Sequence, residues 1–324
     1  MTFISYAQNY EDVILYRALK HISEGFYIDV GANDPELHSV TKSFYDIGWH
    51  GVNIEPVASW FQKLEEHRPR DLNLQVAASN SKGTVNFFEV LDTGLSTTNG
   101  DSARRYADEM GFKVVEYPVP TISLSEICCN YQLSVVHFLK IDVEGSEIEV
   151  LQGIDFTVVR PWIILVEATL PMTQDARHND WESLISNQDY HFVYFDGLNR
   201  FYVANEHQEL DSYFKAPPNI WDQFQTAQEH SLTGLVGQQQ GAIDTLGAEF
   251  KALDTNYKAL DAEFKALDTN YKALDAEFKA LEKSYQALDI KHQKLEMEIT
   301  EINASIWWRV ALPLRILTQK LKKK

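Results

Sequence analysis

Cysteine is almost missing from this chain, and the only two, Cys128 and Cys129, are adjacent, so no disulfide framework can be drawn. With no signal-peptide pattern at the start of the sequence, that usage implies a reducing cytosol. No apolar run approaches the roughly 18 residues that a membrane-spanning helix needs. Cations are scarce too: 29 Lys and Arg face 47 Asp and Glu, a net charge of −18. So acidic a chain is not built for nucleic acid, which requires a basic face. No Cys/His spacing of the zinc type occurs, and no metal ligands are assigned. Finally, there is no Gly-x-Gly-x-x-Gly loop, which a dinucleotide needs to seat its pyrophosphate on a helix N-terminus.

What is present describes a folded domain with an appendage. The 324 residues are 44% hydrophobic, enough for one α/β domain of roughly 200–230 residues and something more. Strand-like runs fall at Phe26–Val30, Gly51–Glu55, Leu72–Ala77, Val85–Phe88, Val135–Asp142, Trp162–Glu167, His191–Asp196 and Phe201–Ala204. Helical patterns lie between several of them, as at Trp60–Glu66 and Ser146–Gln152. This alternation predicts a doubly wound, mainly parallel sheet covered on both faces. Gly197-Leu198-Asn199 reads as the turn of an antiparallel hairpin at the sheet edge. The α/β domain is assigned to 1–215, and Ala216-Pro217-Pro218 opens a polar, Gln-rich linker over 216–242.

From Phe250 the sequence repeats: FKALDTNYKALDAE fills 250–263 and recurs at 264–277. Aromatics at 250, 257, 264, 271, 278 and 285 alternate with leucines at 253, 260, 267, 274, 281 and 288. That is a heptad with aromatic a and leucine d positions, and it predicts an α-helical coiled coil over 243–303 that joins copies of the chain. From Phe250 to Ile302 the rod would be about 80 Å long. Its e and g flanks carry Asp261, Asp268, Glu263 and Asn270 but no cation within the repeat. The lysines at b follow each Asp by four residues and stabilise their own helix.

The candidate site gathers at strand ends, where open parallel sheets bind ligands. The first strand ends in Tyr27-Ile28-Asp29-Val30-Gly31-Ala32-Asn33-Asp34-Pro35. S-adenosylmethionine carries no phosphate and bears a cationic amine and sulfonium, so a loop with Asp29, Gly31 and Asn33 suits it better than NAD. The second strand ends at Glu55, whose carboxylate can accept bonds from ribose hydroxyls of either cofactor. The third ends in small residues, Ala77 to Ser79, that leave room for an adenine. The fourth reads Phe138-Leu139-Lys140-Ile141-Asp142-Val143-Glu144-Gly145-Ser146-Glu147. Acids clustered at a strand end are costly unless paired or functional.

Two of these stretches resemble the FkbM family of methyltransferases, whose members show F-I-D-V-G-A-N and K-I-D-V-E-G-x-E-x-x-V-L-x-G. Tyr27–Asn33 and Lys140–Gly153 match them in order, and Ser5–Asp12 and Phe195–Arg200 are similar to further family stretches. One departure is Asp34-Pro35, where a glycine commonly follows the asparagine. The resemblance covers roughly 3–205 and implies a Rossmann-like, S-adenosylmethionine-dependent O-methyltransferase. Its cofactor would be held by Asp29, Gly31, Asn33, Glu55, Ala77, Ser79 and Asp142. Its catalytic carboxylates would be Asp142, Glu144 and Glu167. A sugar hydroxyl of a surface polysaccharide or lipid-linked glycan is the expected acceptor. A nicotinamide oxidoreductase and a non-catalytic coiled-coil scaffold are the alternatives, the first opposed by the missing glycine loop and the second by the intact acids.

Of the remaining polar features, His137 reads as structural, His178 as a loop histidine, and Thr93–Arg105 as a lid or a connection. Residues 304–324 hold six Lys and Arg and no acid, with Trp307, Trp308 and several leucines. That mixture predicts a helix lying on an anionic membrane surface, too interrupted by Arg309, Pro313 and Arg315 to span it. The expected location is the cytoplasm, at the inner face of the plasma membrane.

Overall fold

Twelve strands and nine α-helices form in a computed structural model that describes residues 2–170, 173 and 175–321. The strands are β1 (Phe3–Ser5), β2 (Phe26–Val30), β3 (His50–Ile54), β4 (Leu72–Leu74), β5 (Ala77–Ala78), β6 (Gly83–Val90), β7 (Val114–Ile122), β8 (Phe138–Ile141), β9 (Ile163–Glu167), β10 (Tyr190–Phe195), β11 (Asn199–Ala204) and β12 (Phe224–Thr226). The helices are α1 (Glu11–Leu19), α2 (Lys42–Asp46), α3 (Ala58–His67), α4 (Gly100–Asp108), α5 (Leu124–Tyr131), α6 (Glu147–Gln152), α7 (Glu182–Ser186), α8 (Ala227–Ala304) and α9 (Ile306–Leu321). Two units divide the chain, Met1–Leu235 and Val236–Lys324.

The first unit is built on a seven-stranded sheet in the order β10-β11-β9-β8-β2-β3-β4. From β9 to β4 all neighbours run parallel. The antiparallel hairpin β10–β11 closes one edge, as its turn signal indicated. Strand alternation sends side chains to both faces. Ile28, Val30, Leu139 and Ile141 pack with α5 and α6, while Tyr27 and Phe138 pack with α1 and α2 on the other face. The chain runs outward from β2 through β3 to β4, then returns to lay β8 on the other side of β2. That reversal opens a crevice at the carboxyl ends of β2 and β8.

Several segments differ from expectation, among them the unexpected strand β7 and the following three. The single strand expected at Leu72–Ala77 is two strands in different sheets: β5 leaves the main sheet and joins β7 and β6. The segment 216–242, expected as a linker, carries β12, which pairs in parallel with β1, and then the start of α8. A reciprocal cap begins that helix: Thr226 Oγ1 accepts from the Glu229 amide at 3.1 Å, and the Thr226 amide donates to Glu229 at 2.9 Å. Gly234, Gly237 and Gly241 cost a helix roughly 1 kcal/mol each, yet α8 runs through them. Thr93–Arg105 is half helix, because Asn99 Oδ1 accepts the amides of Asp101 and Ser102 and starts α4.

In the second unit the helix predicted over 243–303 is present. Asp254–Lys258, Asp261–Lys265, Asp268–Lys272 and Asp275–Lys279 pair along it at 2.6–2.8 Å. Within 304–324, Ile306–Leu321 is helical as α9, with Pro313 inside it. The side chains of Trp307 and Trp308, and residues 322–324, lie outside the described residues. Among the described residues no helix is long and apolar enough to cross a membrane.

Candidate active site

A cavity of about 370 Å³ opens at the carboxyl ends of β2, β3 and β8, within the range of small-molecule sites. Gly31 makes it possible. Its φ is +77°, and a Cβ there would come 1.8 Å from the Asp142 carbonyl oxygen, so only glycine lets the two strand ends approach. Beyond it, Asn33 is also left-handed, at φ 51°. Its amide donates to Glu55 Oε2 at 2.8 Å, and the Val57 amide donates to Oε1 at 2.8 Å. Each Glu55 oxygen keeps a free acceptor direction. Burial pushes the Glu55 carboxyl up to about 7, against the pull of those two amides and Lys140.

Gly31, Asn33, Glu55, Ala77, Asp142 and Glu144 line this cavity as the sequence suggested. Asp29 and Ser79 do not. Asp29 points to the other face of β2, where Thr41 Oγ1 donates to it at 3.0 Å and the Lys140 ammonium stands 3.4 Å away. Ser79 follows β5 out of the sheet, its amide bonded to the Ile122 carbonyl, and Ala78 lines the cavity instead. At the atypical Asp34-Pro35, Asp34 Oδ1 accepts the amides of Glu36 and Leu37 at 2.9 Å, a side-chain-closed turn.

The acids of β8 and β9 meet at the cavity's edge. One oxygen each from Asp142, Glu144 and Glu167 fall within 4.8 Å of one another. Asp142 is the open member, its side chain 36% exposed, while Glu167 is 8% exposed and does not line the cavity itself. Glu144 sits in a left-handed turn at φ 55°, and the buried Tyr106 hydroxyl approaches it at 3.4 Å. Burial first, and repulsion from Asp142 second, raise the carboxyls of Glu144 and Glu167 well above the ordinary range. Lys140 donates to the Gly31 carbonyl at 2.9 Å and stands 3.3 Å from Asp142 Oδ2. Burial opposes its charge, but Asp29 and Asp142 more than offset that and hold it protonated. Glu147 is different: its Oε1 accepts the Gly145 amide at 2.9 Å and closes the loop before α6.

Other polar features resolve into walls and supports. Thr97 and Thr98, on the stretch read as a lid or a connection, bond the Glu144 carbonyl and the Ser146 hydroxyl at 2.9 and 2.6 Å. That stretch lines the cavity and is tied to the loop after β8. His137 Nδ1 accepts the Phe26 amide at 2.9 Å and is structural. His178 begins a 3₁₀ turn 4.0 Å from Glu182, and residues 172 and 174 of its loop lie outside the described residues.

A family model described as the methyltransferase FkbM domain matches residues 29–192. The chain belongs to this family. No curated protein matches it. The FkbM match takes in Asp29, Glu55, Asp142, Glu144 and Glu167. It leaves out four lining residues, Gln8, Glu11, Leu198 and Asn199, of which Glu11 and Asn199 face each other. Asn199 Nδ2 donates to Glu11 Oε1 at 2.8 Å across 188 residues of chain. Their only sequence signal was the family resemblance of the stretches around them.

Proposed function

We propose that this methyltransferase moves the methyl group of S-adenosylmethionine to a hydroxyl oxygen of a sugar. The observation that carries the reading is a cavity of small-molecule size with Glu55, suited to accept from ribose hydroxyls, on one side and Asp142 and Glu144 on the other, Glu167 standing beside them. No phosphate-seating glycine loop competes for a dinucleotide. In the reaction the acceptor oxygen attacks the sulfonium methyl in line, the C–O bond forms and the S–C bond breaks. The electron pair returns to sulfur as a thioether, and the hydroxyl proton passes to a carboxylate. Asp142 is the residue for that proton, because it is open to the cavity while Glu144 and Glu167 are held back by burial. A sugar hydroxyl is a weak acid, which is why a cluster of bases at this point supports such an acceptor.

The rest of the chain supports a reading in which the enzyme works as an oligomer at a surface. The aromatic and leucine stripe from Phe250 to Leu288 is exposed along one face of α8, and a second copy would cover it. The cations of 304–324 suit the anionic inner face of the plasma membrane, where a lipid-linked glycan would be presented. Labelled S-adenosylmethionine with a panel of glycan acceptors tests the reading. Label transfer to a glycan hydroxyl is expected. Transfer only to a protein side chain or a nitrogen acceptor would contradict it.

A further inference from the structure

We propose that Arg68 is a positioning residue for the cofactor: it holds the loop after β2 in the shape that presents the Asn33 amide to Glu55. Arg68 follows the last turn of α3 and has no exposed surface. Its guanidinium donates four hydrogen bonds. Nε and Nη2 both donate to the Pro35 carbonyl, Nε at 3.1 Å. Nη2 also donates to Ser39 Oγ at 3.0 Å, and Nη1 donates to the Tyr27 hydroxyl at 3.3 Å. Three of the four therefore end on the segment between β2 and α2, from which Asn33, Asp34, Leu37 and His38 line the cavity.

A buried cation is costly unless a counter-charge and hydrogen bonds are supplied, and here the sheet supplies the charge. Asp71 Oδ2 stands 3.7 Å from Nη1. The same carboxylate accepts from the Tyr27 hydroxyl at 2.7 Å, the Gly51 amide at 2.8 Å and Asn53 Nδ2 at 3.0 Å. Strands β2 and β3 thus fix the planar fork, and the fork fixes the loop. Pro35 has a set φ and no N–H, so its carbonyl is the backbone group there that can be anchored.

Beyond Ser39 the contacts continue to the start of the loop. The Ser39 and Thr41 hydroxyls lie 3.3 Å apart, Thr41 donates to Asp29, Asp29 stands 3.4 Å from Lys140, and Lys140 donates to the Gly31 carbonyl. One buried network therefore grips the loop at Gly31 and again at Pro35. Between the two grips lies Asn33, left-handed at φ 51°, with its amide on Glu55 Oε2. Burial raises the Glu55 carboxyl and Asp29 adds to that, against the Val57 and Asn33 amides and Lys140. Tyr117 of β7 is a further titratable group that feels Glu55. A loop released at Pro35 takes the Asn33 donor away and raises that carboxyl further. The effect on the cofactor rests on the S-adenosylmethionine reading; the hold of Arg68 on the loop does not.

Calorimetric titration of the full-length chain with S-adenosylhomocysteine, from about pH 6 to about pH 9, tests the role in Arg68→Lys. That variant keeps the charge beside Asp71 but cannot fork between Pro35 and Ser39. It should bind at least about fivefold more weakly at neutral pH. The midpoint of its pH dependence should lie about half a unit or more above that of the wild type. Because the charge is retained, such a shift reports the geometry of the loop. Should Arg68→Lys unfold, Arg68→Met combined with Asp71→Asn, which removes both buried charges together, should show the same two changes. Wild-type affinity in a folded variant, or weaker binding with an unmoved midpoint, overturns the role and leaves the cofactor reading standing. A folded wild type that binds no S-adenosylhomocysteine overturns the cofactor reading and this role with it.

Discussion

In the first unit Tyr27, Trp49, Phe138 and Trp181 have almost no exposed surface, whereas in the second Phe250, Tyr257, Phe264, Tyr271, Phe278 and Tyr285 are 66–73% exposed. Residue type does not separate them; period does. Along β2 and β8 side chains alternate between two faces, and each face meets helices of the same chain. Along α8 a seven-residue period confines the apolar side chains to one stripe of one helix, which cannot fold back on itself. Each large apolar side chain left in water forgoes roughly 1.5–3 kcal/mol. The first unit thus buries its large apolar side chains within one chain, while those of the second stay exposed, which is what the proposed oligomer would cover.

That contrast breaks most visibly at the stripe. Replacing Leu260, Leu267 and Leu274 together by alanine should cost about 6 kcal/mol or more of association, at about 2 kcal/mol or more for each buried leucine. Analytical ultracentrifugation should find monomers, while the thermal midpoint of the first unit is unchanged. A wild-type chain that is already monomeric would leave the stripe without a purpose.

Within the first unit, Asp142→Asn should preserve the fold but lower turnover at least about a hundredfold, as expected on losing a base or key positioning group. Near-normal turnover would move the proton to Glu144. Glu55→Ala should weaken S-adenosylhomocysteine binding by roughly 1–3 kcal/mol, about 5- to 150-fold. The wild type should also bind about tenfold more tightly at pH 8 than at pH 6. The sign follows from Glu55, which ribose hydroxyls favour as the anion but which titrates near 7 in the free protein. Below that pH binding must first remove a proton. Calorimetry at both pH values, with the variant flat between them, checks this smaller effect.

The sequence made β2, β3, β8 and β9 legible because central parallel strands read as short, nearly continuous apolar runs. It hid β7, where Pro118 and Pro120 argue against a strand. Both prolines fall where β7 has β6 as its neighbour on one side only, because β5 joins it just at Thr121 and Ile122. An edge-like stretch tolerates the missing amides. The Thr226–Glu229 cap was readable, but the glycines after it argued for a linker. In the site, the acids at a strand end or up to three residues past it were visible. Asp29 and Ser79 were misplaced because a strand end shows which residues are near, not which face each one takes. The pair Glu11–Asn199 joins opposite ends of the first unit, and no local pattern announces it.

The central claim is that the cavity between Gly31 and Glu55 holds S-adenosylmethionine, and calorimetric titration of the intact wild type with S-adenosylhomocysteine and with NAD tests it most directly. One S-adenosylhomocysteine per chain, with no heat from NAD, is the predicted result. Tight NAD binding, or the absence of S-adenosylhomocysteine binding by the folded chain, would contradict the account.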